Sequence, residues 1–286
     1  MSSYFTPRTV FWRVNSDALT TLSGSRALML ELAHPLVAAG VASHSNYRGD
    51  PFGRLFRTMQ TMSQLMFTDD KSVQKAMRHF NGCHAKVRGQ LGQTVGPVAG
   101  EAHYNARDPL LKLWVLATLY DSCLLVYDRF VTPLTLDHKR EYYRDGLILG
   151  ELLGIPRHLM PATYDDFNDY VQAMINSDLL TVGDTARDIA KALWAAPLFG
   201  PVAKLASWPG IGLLPERIRA QFGFEWDDQK EKRLGQLARW SRRLRPVVPN
   251  LVAVNLQAQW AEWQWVIQNR LGSTTPHKKT RSMYID

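Results

Sequence analysis

Apolar residues along this chain recur at intervals of three and four almost throughout, and no convincing alternating run is bounded by tight hairpin turns. The pattern predicts an all-α fold without a substantial sheet. Residues 16 to about 41 read as a long helix that Pro35 kinks or divides. A second helix covers 51–66, entered through Asp50 as N-cap with Pro51 at the first helical position. Asp69 or Asp70 caps a third that runs to about Val87, where Gly89 ends it. Asp108 and Pro109 open a helix carrying the apolar run 110–126, and another covers 136–153 before Gly154-Ile155-Pro156. Thr163, with Asp166 three positions on, makes a weaker form of the capping box for a helix to about residue 180. Helices over 185–196, 227–245 and 248–271 complete the set. Between them, 197–215 is rich in proline and glycine and reads as a loop.

No internal repeat or low-complexity linker divides the chain. The expectation is a single domain over 10–250, with a C-terminal helix and basic tail, 251–286, packed on it. With 286 residues, 45% of them hydrophobic and 21% charged, the chain can bury an ordinary globular core. The net charge of +8 is scattered, with clusters at 239–245 and 277–281 that read as a solvated helix face and a mobile tail. No nucleic-acid reading motif accompanies it, so nucleic acid is not an expected partner. Two cysteines, Cys83 and Cys123, exclude a disulfide framework and a Cys-rich metal site and fit a reducing compartment. The N-terminal residues lack the order of a secretory signal. No stretch of about twenty residues reads as apolar enough to span a bilayer; the nearest, 195–214, is broken by prolines, glycines and Lys204. A cytoplasmic protein without a transmembrane segment is expected.

Two helices hold the candidate chemistry. Val73, Met77, Phe80, His84 and Val87 share one helical stripe, which points His84 inward. Such a histidine is either an iron ligand or a buried imidazole bonded to a carbonyl, the second being the commoner role. Gly82 and Cys83 are small enough to let a flat macrocycle lie close, and Arg88, one turn on, is in reach of a propionate. On the preceding helix Arg54 and Thr58 are i, i+4 neighbours at the border of the core. They suit a bound oxygen species or a carboxylate; the plainer alternative is a surface arginine paired with Asp50 and a threonine bonded to its own helix. Arg57 lies about sixty degrees to the other side of Arg54.

His34, before a proline, and His44 read as capping or packing residues. His79 and His84 are five apart, a poor spacing for one metal. There is no HExxH, paired CxxC, EF-hand loop, P-loop, dinucleotide fingerprint or nucleophile elbow. Tryptophans at 240, 260, 263 and 265 read as packing and helix-interface residues.

The strings LAHPLVAAGVASHS, DPFGRLFRT, HAKVRG, YNARDPLLKLWVLATLYDS and LLPERIRAQFGFEWDD, in that order between about residues 10 and 250, resemble the MpaB-type oxygenase family. The latex-clearing proteins (rubber oxygenases) are its distant relatives. The resemblance implies a globin-like helical core with additional helices, holding a b-type haem with its iron. It further implies oxygen chemistry, with oxidative cleavage of isoprenoid C=C bonds as precedent. Carried over by position, His84 is the proximal iron ligand, and Arg54 and Thr58 match the family's Arg-x-x-x-Thr. Arg57 stands where the latex-clearing proteins have a lysine that reaches the iron, and an arginine does not readily give up its proton. Two departures stand out: Leu116 replaces a common histidine, and the acidic residue proposed as base in rubber cleavage has no counterpart in the apolar stretch 36–41.

The expectation is therefore a haem-dependent oxygenase using O2 on a hydrophobic small molecule. Arg54, Arg57 and Thr58 would be catalytic, His84, Arg88 and Arg54 would bind cofactor, and Asp121 or Ser122 would complete the polar edge. A homodimer is left open. A non-catalytic haem carrier or sensor, and a cofactor-free helical interaction protein, stand as alternatives.

Overall fold

The computed structural model describes residues 4–195 and 200–271, with side chains described except at 51, 52, 54–56, 194, 195, 200–204 and 268–271. The basic cluster at 277–281 lies outside the described residues. The fold is all-α. Helices α1 (Val10–Ser16), α2 (Ser23–Leu32), α3 (Pro35–His44), α4 (Pro51–Phe67) and α5 (Asp70–His84) lead into a two-stranded antiparallel ribbon, β1 (Arg88–Gln90) and β2 (His103–Asn105). Then follow α6 (Pro109–Phe130), α7 (Leu136–Leu152), α8 (Tyr164–Asn176), α9 (Asp184–Ala195), α10 (Gly200–Gly212) and α11 (Glu216–Gln221). The last are α12 (Asp228–Leu244), α13 (Asn250–Ala253) and α14 (Leu256–Leu271).

Side-chain caps fix half of these starts. Asp50, Asp69, Asp108 and Asp227 each accept a backbone N–H from the first turn of α4, α5, α6 and α12 respectively. At α8, Thr163 and Asp166 close a reciprocal capping box. The core forms around α6, which packs against α2, α7, α8 and α12. The buried Trp114 donates its indole N–H to the Leu30 carbonyl at 3.3 Å, locking α6 to α2. Tyr120 meets Phe11 and Tyr142 edge-on and donates its hydroxyl to the Gly146 carbonyl at 2.6 Å, tying α6 to α1 and α7. Beneath them, buried Arg26 pairs with Asp121 at 2.7 Å and donates to the Ser122 hydroxyl at 2.8 Å and the Leu213 carbonyl at 2.9 Å.

Several elements depart from the sequence pattern. The expected helix over 16–41 is three pieces: Asp17 caps a 3-10 turn (Ala18–Leu22), α2 follows, and Pro35 divides α2 from α3. The chain bends 104° between Ala18–Leu32 and Pro35–His44. The expected helix over 248–271 is interrupted where Val254 bridges to Asp17 and Asn255 donates to the Ser16 carbonyl. The segment expected as a loop holds α10, with Pro209 inside it. Its glycines serve close approach: a Cβ on Gly210 would meet Ser25 and Leu22 of the neighbouring layer, and one on Gly212 the Trp226 ring. Also against expectation, α6 is long and apolar enough to cross a bilayer by length and composition. More than half of that apolar window is buried, so it is a core helix here.

Candidate functional site

The hairpin of α4 and α5 carries the residues singled out above. Only Thr68 and Asp69 connect the two helices, and they pack on each other, so they run antiparallel. Near the connection the hairpin is anchored in the core through Leu65, Phe67, Val73, Ala76 and Met77. Toward the other end it opens: residues 57–60 of α4 and 81–83 of α5 are exposed. At ~1.5 Å per residue, Arg54 on α4 and His84 on α5 stand about 21 and 22 Å from the connection, on the same level.

His84 closes α5 and is half-buried. Its Nδ1 lies 2.9 Å from the Phe80 carbonyl, and the Phe80 ring stacks on the imidazole with centroids 3.9 Å apart. A carbonyl only accepts, so Nδ1 carries the proton and Nε2 keeps its lone pair. Burial lowers the pKa of His84, and the charge of Lys112 lowers it further, against the Phe80 bond that raises it. The imidazole is thus held neutral, in one tautomer and one orientation, as a ligand requires. The plainer expectation, a histidine bonded to a carbonyl, is met as well. The inward placement is corrected: the stripe is buried at Val73 and Met77 but only half-buried at Phe80 and His84, because the helix runs out past the core.

Arg88 is not one helical turn beyond His84. The chain leaves the helix at Ala85, Val87 donates to the His84 carbonyl, and Arg88 begins β1 as an exposed residue. The ribbon is held by α3: His44 Nε2 lies 3.2 Å from the Arg88 carbonyl and 3.3 Å from the Tyr104 hydroxyl. Helix α3 packs closely on this ribbon at Gly40, where a Cβ would be in van der Waals contact with Val87 at 3.4 Å and Tyr104 at 3.6 Å.

On α4 the Arg54 side chain lies outside the described residues; its backbone position is one turn before Thr58. Thr58 is exposed rather than at the core border. Arg57 pairs with Asp50 at 3.0 Å. That bond, with the Gly53 N–H, holds the Asp50 carboxyl below its ordinary range. Asp121 and Ser122 do not join this site, since both are engaged by Arg26. Leu116 is buried in the core.

Sequence reasoning missed Lys112. This half-buried lysine, isolated within the apolar start of α6, donates to the Leu153 carbonyl at 2.9 Å, and its charge acts on His84. Burial lowers its own pKa, with Arg107 adding to the effect. The visible signal was a single cation in an otherwise apolar helical run.

Among the described residues no group of three or more His, Cys, Asp or Glu is placed to hold a metal ion. A free ion therefore finds no cage there, whereas a haem iron needs a single protein ligand with a free nitrogen, which His84 fits. A void of about 10 Å³ among Leu116, Tyr120, Gly146 and Met160 is too small for a substrate, and an open groove of about 290 Å³ at Lys139, Tyr164 and Asp169 lies on the surface. Neither includes His84.

Residues 12–243 match the family described as ER-bound oxygenase mpaB/B'/rubber oxygenase, catalytic domain, and the chain belongs to that family. Its class is that of an oxygenase catalytic domain. The uncharacterized protein Rv2237 of Mycobacterium tuberculosis and the uncharacterized protein Mb2261 of Mycobacterium bovis are each 23% identical over 227 residues, covering 78% of this chain and 88% of the relative. No solved structure gives a significant match.

Proposed function

We propose that this protein is a b-type haem-dependent oxygenase, with His84 Nε2 as the proximal iron ligand and a hydrophobic small molecule as substrate. The observation that carries the reading is the bond from His84 Nδ1–H to the Phe80 carbonyl, in a chain that belongs to an oxygenase family. That bond fixes the ligand tautomer, and the stacked Phe80 ring fixes its plane. Burial, aided by the charge of Lys112, lowers the imidazole's pKa and so favours the neutral form that can act as a ligand.

When bound, the haem supplies the redox chemistry by which O2 is used; the chain supplies binding, orientation and charge. Arg54, whose backbone position is level with His84, and Thr58, one turn nearer the connection on α4, are the residues proposed to supply a guanidinium and a hydroxyl that steady developing negative charge. Arg57 is tied to Asp50, so its guanidinium serves as a fixed cation beside the site and not as an iron ligand. Arg88, exposed at the foot of the ribbon, is a cation available to a propionate. The reaction proposed, after the family's precedent, joins O2 across a C=C bond and yields two carbonyl groups, one oxygen atom on each carbon. A cytoplasmic protein is the setting we propose for it.

Incubating the haem-loaded ferrous protein with 18O2 and a panel of terpenoids tests the activity. Mass spectrometry is expected to find carbonyl products carrying the label. Intact haem binding with no labelled product across the panel would leave a carrier or sensor as the better description.

A further inference from the structure

Around the C-terminal helices the usual arrangement of charge and apolar surface is inverted. Asp17, only 3% exposed, gathers three strands of contact: Arg245 donates to it at 2.7 Å, Val254 bridges to it, and next to it Asn255 donates to the Ser16 carbonyl at 2.7 Å. The segment joining α12 to α14 is therefore stapled to the body through its polar groups. Its apolar side chains face away: Val247, Leu251 and Leu256 are 75%, 72% and 72% exposed. Ala253 and Ala258 turn inward, and Val254 packs half-buried on the core. Apolar side chains exposed singly need no explanation; a run of them around one anchored junction does.

The flanking helices extend the same face. On α12 the buried residues are Leu234 and Ala238, while Leu237, Trp240 and Leu244 form a second apolar stripe in solvent. On α14, Leu256, Trp260 and Trp263 fall four and three apart, and the two exposed indoles stack at 5.2 Å. Charge tells what such a face meets. Past the first turn of α12, which holds Asp228 and Glu231, residues 232–263 contain six basic residues against one acidic, Glu262. Arg242 and Arg245 are engaged internally, which leaves Lys232, Arg233, Arg239 and Arg243 to the surface. Arg239 and Arg243 are exposed, the latter over the Trp240 ring. Tryptophan, aliphatic and arginine side chains on one surface match the headgroup boundary of an anionic bilayer: indoles and aliphatics enter, guanidinium groups meet phosphate and carboxylate.

We propose that the face formed by α12, the 245–256 junction and α14 docks on anionic lipid membranes. It stands independently of the haem reading. Since α14 packs on α4, it also sets the Arg54–Thr58 helix close to the bilayer.

Vesicle sedimentation of the full chain tests this, comparing phosphatidylcholine vesicles with vesicles containing about one-third phosphatidylserine. Binding is expected to the anionic vesicles, weakened by salt. It should fall about tenfold in Leu251→Ser/Leu256→Ser and, separately, in Arg239→Glu/Arg243→Glu. These positions are exposed, so circular dichroism and melting should match wild type; Arg242 and Arg245, which hold structural bonds, are left alone. No binding, equal binding to both vesicle types, or binding unchanged in both variants would overturn the proposal. So would a wild-type dimer that Leu251→Ser/Leu256→Ser converts to a monomer without any vesicle binding, since a second copy would then own the face.

Discussion

His84 and Phe80 are joined twice, through a 2.9 Å bond from the imidazole Nδ1–H to the carbonyl one turn back and through a ring stack at 3.9 Å. The pair fixes which nitrogen is free. Long-range 1H–15N spectra of the apo protein should therefore show His84 neutral with its proton on Nδ1. A dominant Nε2–H tautomer would contradict the geometry.

Arg26 is nearly buried and serves three acceptors. Arg26→Met should cost about 3–5 kcal/mol, because Asp121 loses its counter-charge while Ser122 and the Leu213 carbonyl lose a donor. Urea unfolding measures it. A loss under about 1 kcal/mol would mean that the network is replaceable. Haem affinity of the folded fraction should be unchanged, as these groups lie outside the His84 site.

The fold was readable wherever a cap announced it. Asp50, Asp69, Asp108, Asp227 and the Thr163–Asp166 pair start helices where the pattern put them, since a side-chain acceptor is a local device. What escaped depended on neighbours. Gly210 and Gly212 look like helix breakers, yet they let α10 approach Ser25 and Trp226, a fact visible only from the other helix. The tryptophans at 240, 260 and 263 were expected to pack, and they stand in solvent; hydrophobicity marks an interface without saying with what. In the site, the stripe put His84 on the helix face of Val73 and Met77 but did not show its half-exposure at the helix end. Thr58's exposure and the place of Lys112 were not legible, because the first depends on how far α4 runs beyond the core and the second on the Leu153 carbonyl that α7 brings to it.

His34 is buried, and its Nδ1 finds no partner among the described residues. Burial, against a weaker opposing backbone bond and the charge of Asp108, lowers its pKa to about 4. The unfolded chain takes up this proton near pH 6.5 and the native state does not. Stability should accordingly fall as pH drops below about 6.5, by ~1.4 kcal/mol per unit and by about 3 kcal/mol in all near pH 4. The unfolding free energy of wild type relative to His34→Leu should fall by about 3 kcal/mol between neutral pH and about pH 4. Parallel curves would show that His34 already titrates normally in the folded state.

Two glycines should respond oppositely to alanine. At Gly235, inside α12, a Cβ meets Arg239 at an ordinary 3.6 Å, so Gly235→Ala should stabilise by about 0.5–1 kcal/mol. At Gly146 the Cβ would stand 2.8 Å from the Tyr120 ring, which is held by its own bond to the Gly146 carbonyl. Gly146→Ala should cost about 1–3 kcal/mol. Thermal unfolding separates them, and a shift of the same sign in both would refute the packing described around α6.

The most direct measurement is the absorption spectrum of the protein purified from haem-supplemented cells, for wild type and His84→Ala side by side. The account predicts a Soret band in wild type, its loss or marked shift in the variant, and its recovery when free imidazole is added. No band in wild type, or an identical band in His84→Ala, would contradict it.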